Sequence, residues 1–433
     1  MNYDPIDFGA YADGVNDDTL AIRRAIEQAN VNKGTVVFSK NRVYRAGLIE
    51  LLDNTTLCLE EGSKLMMTDD LKQCSLLSSA EIKPLDKPTY EDCSYNGQPN
   101  LFFIYAKGRK HIRIIGEGVI DGNEEIFYGK KNEHHIDGYF YPRVPLIFIE
   151  DCSDVLLNKV TLQRSAFWTV HLVGCNGVSI DGITIDNNRI LANSDGIDPD
   201  HCKNVIIKNC KISSADDCIV LKTTEAFKKY GSCECVEVFN CTLSSTSAAI
   251  KIGTETCSDF NKIYFHDCNI LDSNRGISLQ LRDEGNITHC IFENIYIETK
   301  RFEDVYWWGK GEGIAVTAVR RNKNTNIGRI SRCEFQNVKM KSENGILVYG
   351  ENRNIDHIMF DSVNLELVEK TDYKKDFHDL RPCYTGPIVN SGFTYMYCKD
   401  AEYIKLMDFE TKNSTNNKLD EECLFINCET VVR

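Results

Sequence analysis

Three short segments of this chain superpose on one another. Val205-Ile206-Ile207-Lys208-Asn209-Cys210, Val236-Glu237-Val238-Phe239-Asn240-Cys241 and Ile263-Tyr264-Phe265-His266-Asp267-Cys268 are offset by 31 and 27 residues. Each is β-branched or aromatic, closes on an Asn or Asp beside a Cys, and is followed by a second strand ending near a Gly or a polar turn. Asp151-Cys152 carries the same dipeptide, and 112–120, 155–162, 178–185, 287–297, 330–340 and 355–367 read as further copies. A mostly strand period of about 22 to 31 residues, with no amphipathic helix between strands, signals a stacked solenoid. Leucine-rich repeats have another consensus, and propeller blades need longer, four-stranded units. The pattern predicts an all-β chain folded as a single-stranded right-handed parallel β-helix, with Asn and Cys laddered between rungs about 4.8 Å apart.

One domain over 1–433 follows, with atypical ends. Asp17-Asp18-Thr19 is expected to cap a helix over 20–29, where Ala21, Ile22, Ala25 and Ile26 have helical spacing. A short capping helix in a 1–30 cap region would cover the open end of the stack. After about residue 370 the rhythm weakens: 373–397 reads as loop and 370–433 as an irregular C-terminal coil or tail.

A net charge of −14, from 50 basic and 64 acidic residues, argues against a nucleic-acid or membrane-surface partner. It sits awkwardly with a polyanionic substrate unless basic residues gather at the site. The chain opens Met1-Asn2-Tyr3-Asp4, and no apolar run approaches a membrane span. The expectation is a cytoplasmic protein, or a secreted or periplasmic one whose leader has been removed. Nineteen cysteines, scattered through strand-like segments, read as buried reduced thiols rather than a disulfide framework. Cys233 and Cys235 lack metal-ligand spacing, and His134 and His135 have no carboxylate partner at such spacing, so no metal or cofactor is expected.

The repeat also aligns chemistry. Anchoring on a shared isoleucine gives Asp195-Gly196-Ile197, Asp217-Cys218-Ile219, Ala248-Ala249-Ile250 and Arg275-Gly276-Ile277. One edge therefore runs Asp, Asp, Ala, Arg, with Asp216 beside Asp217. Crowded carboxylates repel, which raises the pKa of one and suits it to hold a proton near neutrality. The bland alternative is a ladder of aspartates satisfying turn donors, which three in register make less economical than a site.

At these residues the sequence resembles glycoside hydrolase family 28, the polygalacturonase-like, pectin-active parallel β-helix family with the pectin lyase-like solenoid. Its Asn-Thr-Asp-Gly is similar to Asn193-Ser194-Asp195-Gly196, and its Asp-Asp falls at Asp216-Asp217. Asp7-Phe8-Gly9-Ala10, Asp13-Gly14 and Asp17-Asp18-Thr19 resemble the entry segment of pectin-active β-helices. The resemblance spans roughly residues 5 to 365. It implies an inverting hydrolase, with Asp216 as general acid and Asp195 and Asp217 holding and deprotonating water, the acid and base roughly 6.5–9.5 Å apart.

Two departures stand out. The family's Gly-His-Gly falls at Ser247-Ala248-Ala249, so Ala248 replaces the histidine. Its Arg-Ile-Lys, which binds the substrate carboxylate, falls near Ser278-Leu279-Gln280. Arg275, Arg282 and Lys251 are the candidate replacement cations, against a reading as solvated surface charges. With Gln280 and Trp308 they make the expected substrate-binding set. Trp307-Trp308 and Phe167-Trp168 read either as sugar platforms or as packing, and the 128–141 loop as a wall that would favour attack on chain ends.

The expected substrate is a pectin-type, galacturonate- or rhamnogalacturonan-like poly- or oligosaccharide, with oligomeric state left open. The alternatives are a lyase or epimerase on the same fold, which Arg275 keeps alive as a base, and a non-catalytic polysaccharide-binding β-helix.

Overall fold

The computed structural model describes residues 1–76, 99–138, 143–384 and 386–432. They fall into two compact units, one ending at Ala215 and the other beginning at Asp216. Each is a parallel β-helix whose complete coils give one strand to each of three sheets. Among the described residues no helix is long and apolar enough to cross a membrane.

In the first unit the helix runs Thr19–Asn32 and buries Ala21, Ile22, Ala25, Ile26 and Ala29. It packs on Asn2–Tyr3, Thr35–Phe38 and Ile49–Glu50, the strands that open this unit's stack. Asp18 is the N-cap residue, yet its side chain does not cap. Its carboxylate accepts instead from the backbone N–H of Tyr11 (2.6 Å), Ala12 (3.2 Å) and Arg45 (3.3 Å), tying the entry segment to a strand. Burial pushes the Asp18 carboxyl up, against the pull of these three donors. Asp17 does the capping, with Oδ1 3.0 Å from the Thr19 N–H. Asp17→Ala should therefore cost about 1 kcal/mol, read as a lowered denaturant midpoint.

The strand repeats pair in register and in parallel. Val155, Val178 and Val205 align across Ser153–Asn158, Asn176–Asp181 and Lys203–Lys208, as Leu157, Ile180 and Ile207 do. Leu162, Ile185 and Ile212 form the matching column of the second sheet. In the third, Ile147–Glu150, Val170–Val173 and Ile197–Asp200 align Ile147, Val170 and Ile197. The first two sheets alternate buried and half-exposed residues, whereas these third-sheet strands are buried at every position.

The Asn-Cys dipeptides earn their repetition at a corner. Asn209, Asn240 and Asp267 take left-handed φ values of 56°, 53° and 51°, a conformation that Asn and Asp tolerate best among residues with a side chain. The Cys210, Cys241 and Cys268 thiols then donate to the carbonyl two residues back, at 3.1–3.3 Å. Asp151-Cys152 shares the dipeptide but turns another corner. It leads into Ser153–Asn158, as Gly174-Cys175 and His201-Cys202 lead into the next two strands of that sheet. Among the described residues no two cysteines are joined by a disulfide, and most are buried.

The second unit repeats this plan. Its core carries Phe265, Phe292, Phe335 and Phe360 in register, rings stacked at 5.6, 5.1 and 5.1 Å because the rung spacing leaves no other arrangement. The expected irregular tail is regular: Met396–Lys399, Ala401–Met407, Glu410–Asn413, Cys423–Ile426 and Glu429–Val432 extend this unit's three sheets. Inward Ile404 and Leu406 keep the period, while outward Glu402 and Lys405 hide it from an apolar count. The 373–397 segment holds an antiparallel hairpin, Phe377–Asp379 with Ile388–Asn390. Leu380, Cys383 and Val389 from that excursion pack on Ala315, Leu347 and Tyr397, residues of the third sheet.

Candidate active site

Asp195 lies in the first unit, two residues before Ile197 opens the third-sheet strand Ile197–Asp200. Its turn is pinned locally. Asn193 takes φ 60°, the Ser194 hydroxyl donates to Leu191 O at 2.9 Å, and the Asp195 carbonyl accepts from the Thr169 N–H (2.9 Å) and hydroxyl (2.7 Å). Asn187 donates to the Thr169 hydroxyl and to Ser194 O, bracing the same turn. Asp195 is 2% exposed.

Phe167 and Trp168 are buried, with rings stacked 5.2 Å apart and the Trp168 ring edge-on to His171. They follow the packing alternative rather than the sugar platform. Tyr128–Lys131 and Ile136–Gly138 form a small antiparallel hairpin, with His134 exposed and His135 buried. The rest of the expected 128–141 wall, from 139, lies outside the described residues.

In the second unit Asp217 stands two residues before Ile219, the same offset as Asp195 before Ile197. The expected column continues from it: Ile219 pairs with Ile250, Ile250 with Ile277, and Ala248 with Arg275. Asp217 is 1% exposed and its carboxylate meets three donors. The Ser247 hydroxyl (3.0 Å) and the Ala248 N–H (3.2 Å) reach Oδ1, and Lys251 Nζ reaches Oδ2 at 2.7 Å. Asp216 is half-exposed. Its Oδ1 accepts from the Asp217 N–H at 3.1 Å, and its carbonyl accepts from the Ser245 hydroxyl at 2.7 Å. Asp217 is thus bound as an acceptor on both oxygens, while Asp216 is only half-buried.

The other expected substrate-binding residues divide. Arg282 is fully buried, and its guanidinium donates to the carbonyls of Leu281, Thr317, Leu380 and Pro382 and to the Thr317 hydroxyl. Burial pushes it below the usual arginine range, to about 9. That placement corrects the expectation that it meets a sugar carboxylate: every nitrogen already has a partner, and two of them hold the 380–382 segment against the third sheet.

Arg275, 5% exposed, is likewise internal, which corrects the parallel expectation for it. It pairs with Glu312 (Nε to Oε2, 3.2 Å) and donates to the carbonyls of Trp308 (3.2 Å) and Asp379 (2.7 Å). Gln280, 3% exposed, sits in the sheet between Gly253 and Thr317. Trp308 is half-buried, and the Arg381 guanidinium lies 5.2 Å over its ring. Arg381 in turn is anchored by the Asp379 carboxylate.

Sequence reasoning missed the buried charges that join these loops. Glu312 accepts from Arg275, from the Lys310 N–H (2.7 Å), and pairs with His378 Nδ1 (2.9 Å). Burial works to raise the Glu312 carboxyl, but the Arg275 charge and the His378 hydrogen bond outweigh it and hold it well below the usual carboxylate range. Burial pulls the Lys310 ammonium down, against Asp379 and Asp304. Arg275's partners lie 33 to 104 residues from it in the chain, so no local pattern announces them.

Three-sheeted coils, with a buried aspartate two residues before a third-sheet strand in each unit, are those of a parallel β-helix of the pectin-lyase-like class. The model of Glycosyl hydrolases family 28 matches residues 62–372, and the chain belongs to that family. A probable polygalacturonase of Vitis vinifera is 27% identical over 289 residues, covering 64% of this chain and 56% of its own length. The match thus spans little more than half of that curated relative. Two solved structures share the fold. A hyperthermoactive exopolygalacturonase from Thermotoga maritima has a TM-score of 0.65 at 20% identity, over 85% of this chain and 87% of its own. The family 28 exopolygalacturonase of Yersinia enterocolitica has a TM-score of 0.69 at 17% identity, over 100% and 78%.

Proposed function

We propose that the protein hydrolyses glycosidic bonds of a pectin-type poly- or oligosaccharide with inversion of configuration. Asp216 is the general acid that protonates the leaving oxygen. Asp195 and Asp217 hold and deprotonate the attacking water. The observation that carries this reading is the unequal treatment of the adjacent pair. Three donors fix the buried Asp217 as an acceptor, whereas Asp216 beside it is half-exposed and can be reached by a sugar oxygen. Membership of a family whose curated relative is named a polygalacturonase supports the substrate class.

Attack on chain ends is part of the same proposal. The 377–390 excursion lies on the outward face of the third sheet from Ala315 onward. Arg275, in the coil before Ala315, is two rungs, or about 10 Å, from Asp217. A sugar chain running past Arg275 would meet that cover. The lyase alternative loses its base, because Arg275 is committed to Glu312 and two carbonyls.

Pectic oligosaccharides should yield reducing ends without the ultraviolet absorbance of unsaturated products, and proton NMR of the first product should show the inverted anomer. Absorbance would transfer the protein to the lyases. Binding without turnover would make it a polysaccharide-binding β-helix.

A further inference from the structure

We propose that Lys251 is a positioning residue for Asp217 rather than a substrate-binding cation. This rests on the hydrolytic reading above. Ile250 and Ile252 are fully buried on either side of it, so strand alternation turns Lys251 to the outer face of Ala248–Thr256. There it pairs across the sheet with Val220 and Ser278, one rung to each side. Its Nζ lies 2.7 Å from Asp217 Oδ2, within the range of a charge-assisted hydrogen bond. The Lys251 side chain is 13% exposed and the Asp217 side chain 1%, so the pair is screened little by water.

The neighbouring donors make the contact directional. The Ser247 hydroxyl and the Ala248 N–H both converge on Oδ1, leaving Oδ2 to the ammonium. Ala248 has no side chain that could reach the carboxylate, so the one positive charge on Asp217 among the described contacts of this unit comes from the next strand position able to supply it. Arg275 and Arg282 are bound to Glu312 and to carbonyls, and neither substitutes for it. With both oxygens held, the carboxylate plane is fixed. A base whose orientation is fixed can aim a water, and loosening it slows chemistry without loosening sugar binding.

The test is steady-state kinetics on oligogalacturonides with Lys251→Met, Lys251→Arg, Asp217→Asn and the Asp217→Asn/Lys251→Met double variant, each checked for native circular dichroism. Lys251→Met should lower kcat about 100-fold with KM within about threefold. Lys251→Arg, which keeps the charge, should recover at least about tenfold of that loss. The double variant should be no slower than Asp217→Asn alone, because both changes remove one unit of function. In an Asp216→Asn background, calorimetric binding of the oligosaccharide should not change on adding Lys251→Met. A raised KM or weakened binding with kcat kept would overturn the inference and make Lys251 a substrate ligand. Unchanged kinetics in Lys251→Met beside an inactive Asp217→Asn would overturn it while leaving the hydrolytic reading standing. Full activity of Asp217→Asn would overturn both.

Discussion

Asp216→Asn should lower kcat by about 10³ to 10⁴-fold and leave the fold intact. The amide has the shape of the carboxyl, and its oxygen can still accept from the Asp217 N–H as Asp216 Oδ1 does at 3.1 Å. The Ser245 hydroxyl bond goes to the Asp216 carbonyl and is untouched by the substitution. What the amide cannot do is give a proton to a departing sugar oxygen. That loss has a signature beyond its size. A nitrophenyl glycoside of the same sugar leaves as a weakly basic phenolate and needs little protonation, so the variant should lose far less on it than on the natural linkage. Release of reducing ends and of nitrophenolate, measured side by side, checks both halves. A variant that cleaves the sugar–sugar bond at wild-type rate would remove Asp216 from the mechanism.

Residues with regular spacing are legible in the sequence, and those with long-range partners are not. A period of two within strands and a repeated Asn-Cys or Asp-Cys corner suffice to place Val236 and Ile263 in one column, because each coil solves the same packing problem. The same logic puts Ala248 beside Arg275. It fails where a residue's partner lies outside its own coil neighbours. Arg275 reads as an outward cation by register, but its position meets Glu312 and the Asp379 carbonyl, brought in by loops whose chain distance the repeat does not encode. Asp18 reads as a helix cap by adjacency, and its carboxylate turns instead to the N–H groups of Tyr11 and Ala12 in the entry segment. Lys251 is legible as a cation near the site; that it faces Asp217 rather than solvent or sugar depends on the side-chain direction.

Glu312→Gln should destabilise the protein by about 3–5 kcal/mol, the usual cost of removing one partner from a buried ion pair. Glu312 and its partner Arg275 are almost wholly buried, so the variant leaves a guanidinium enclosed without its counter-charge. The same substitution removes the charge that pairs with His378 and receives the Lys310 N–H. Because Arg275 also holds the Trp308 and Asp379 carbonyls, the loops at 300–313 and 370–391 should open first, and limited proteolysis should cut there before the strands. Acid provides an independent check of sign. Glu312 is held well below its ordinary value in the folded protein, so in the unfolded chain it takes up a proton at higher pH than in the native state. Its contribution is therefore fully present above about pH 4.5 and is lost progressively as pH falls below that toward the depressed folded value. Urea midpoints of the wild type and Glu312→Gln should lie far apart at pH 7 and draw together below about pH 4.5. A gap that stays constant with pH would show that the lost stability comes from packing of the side chain and not from its charge.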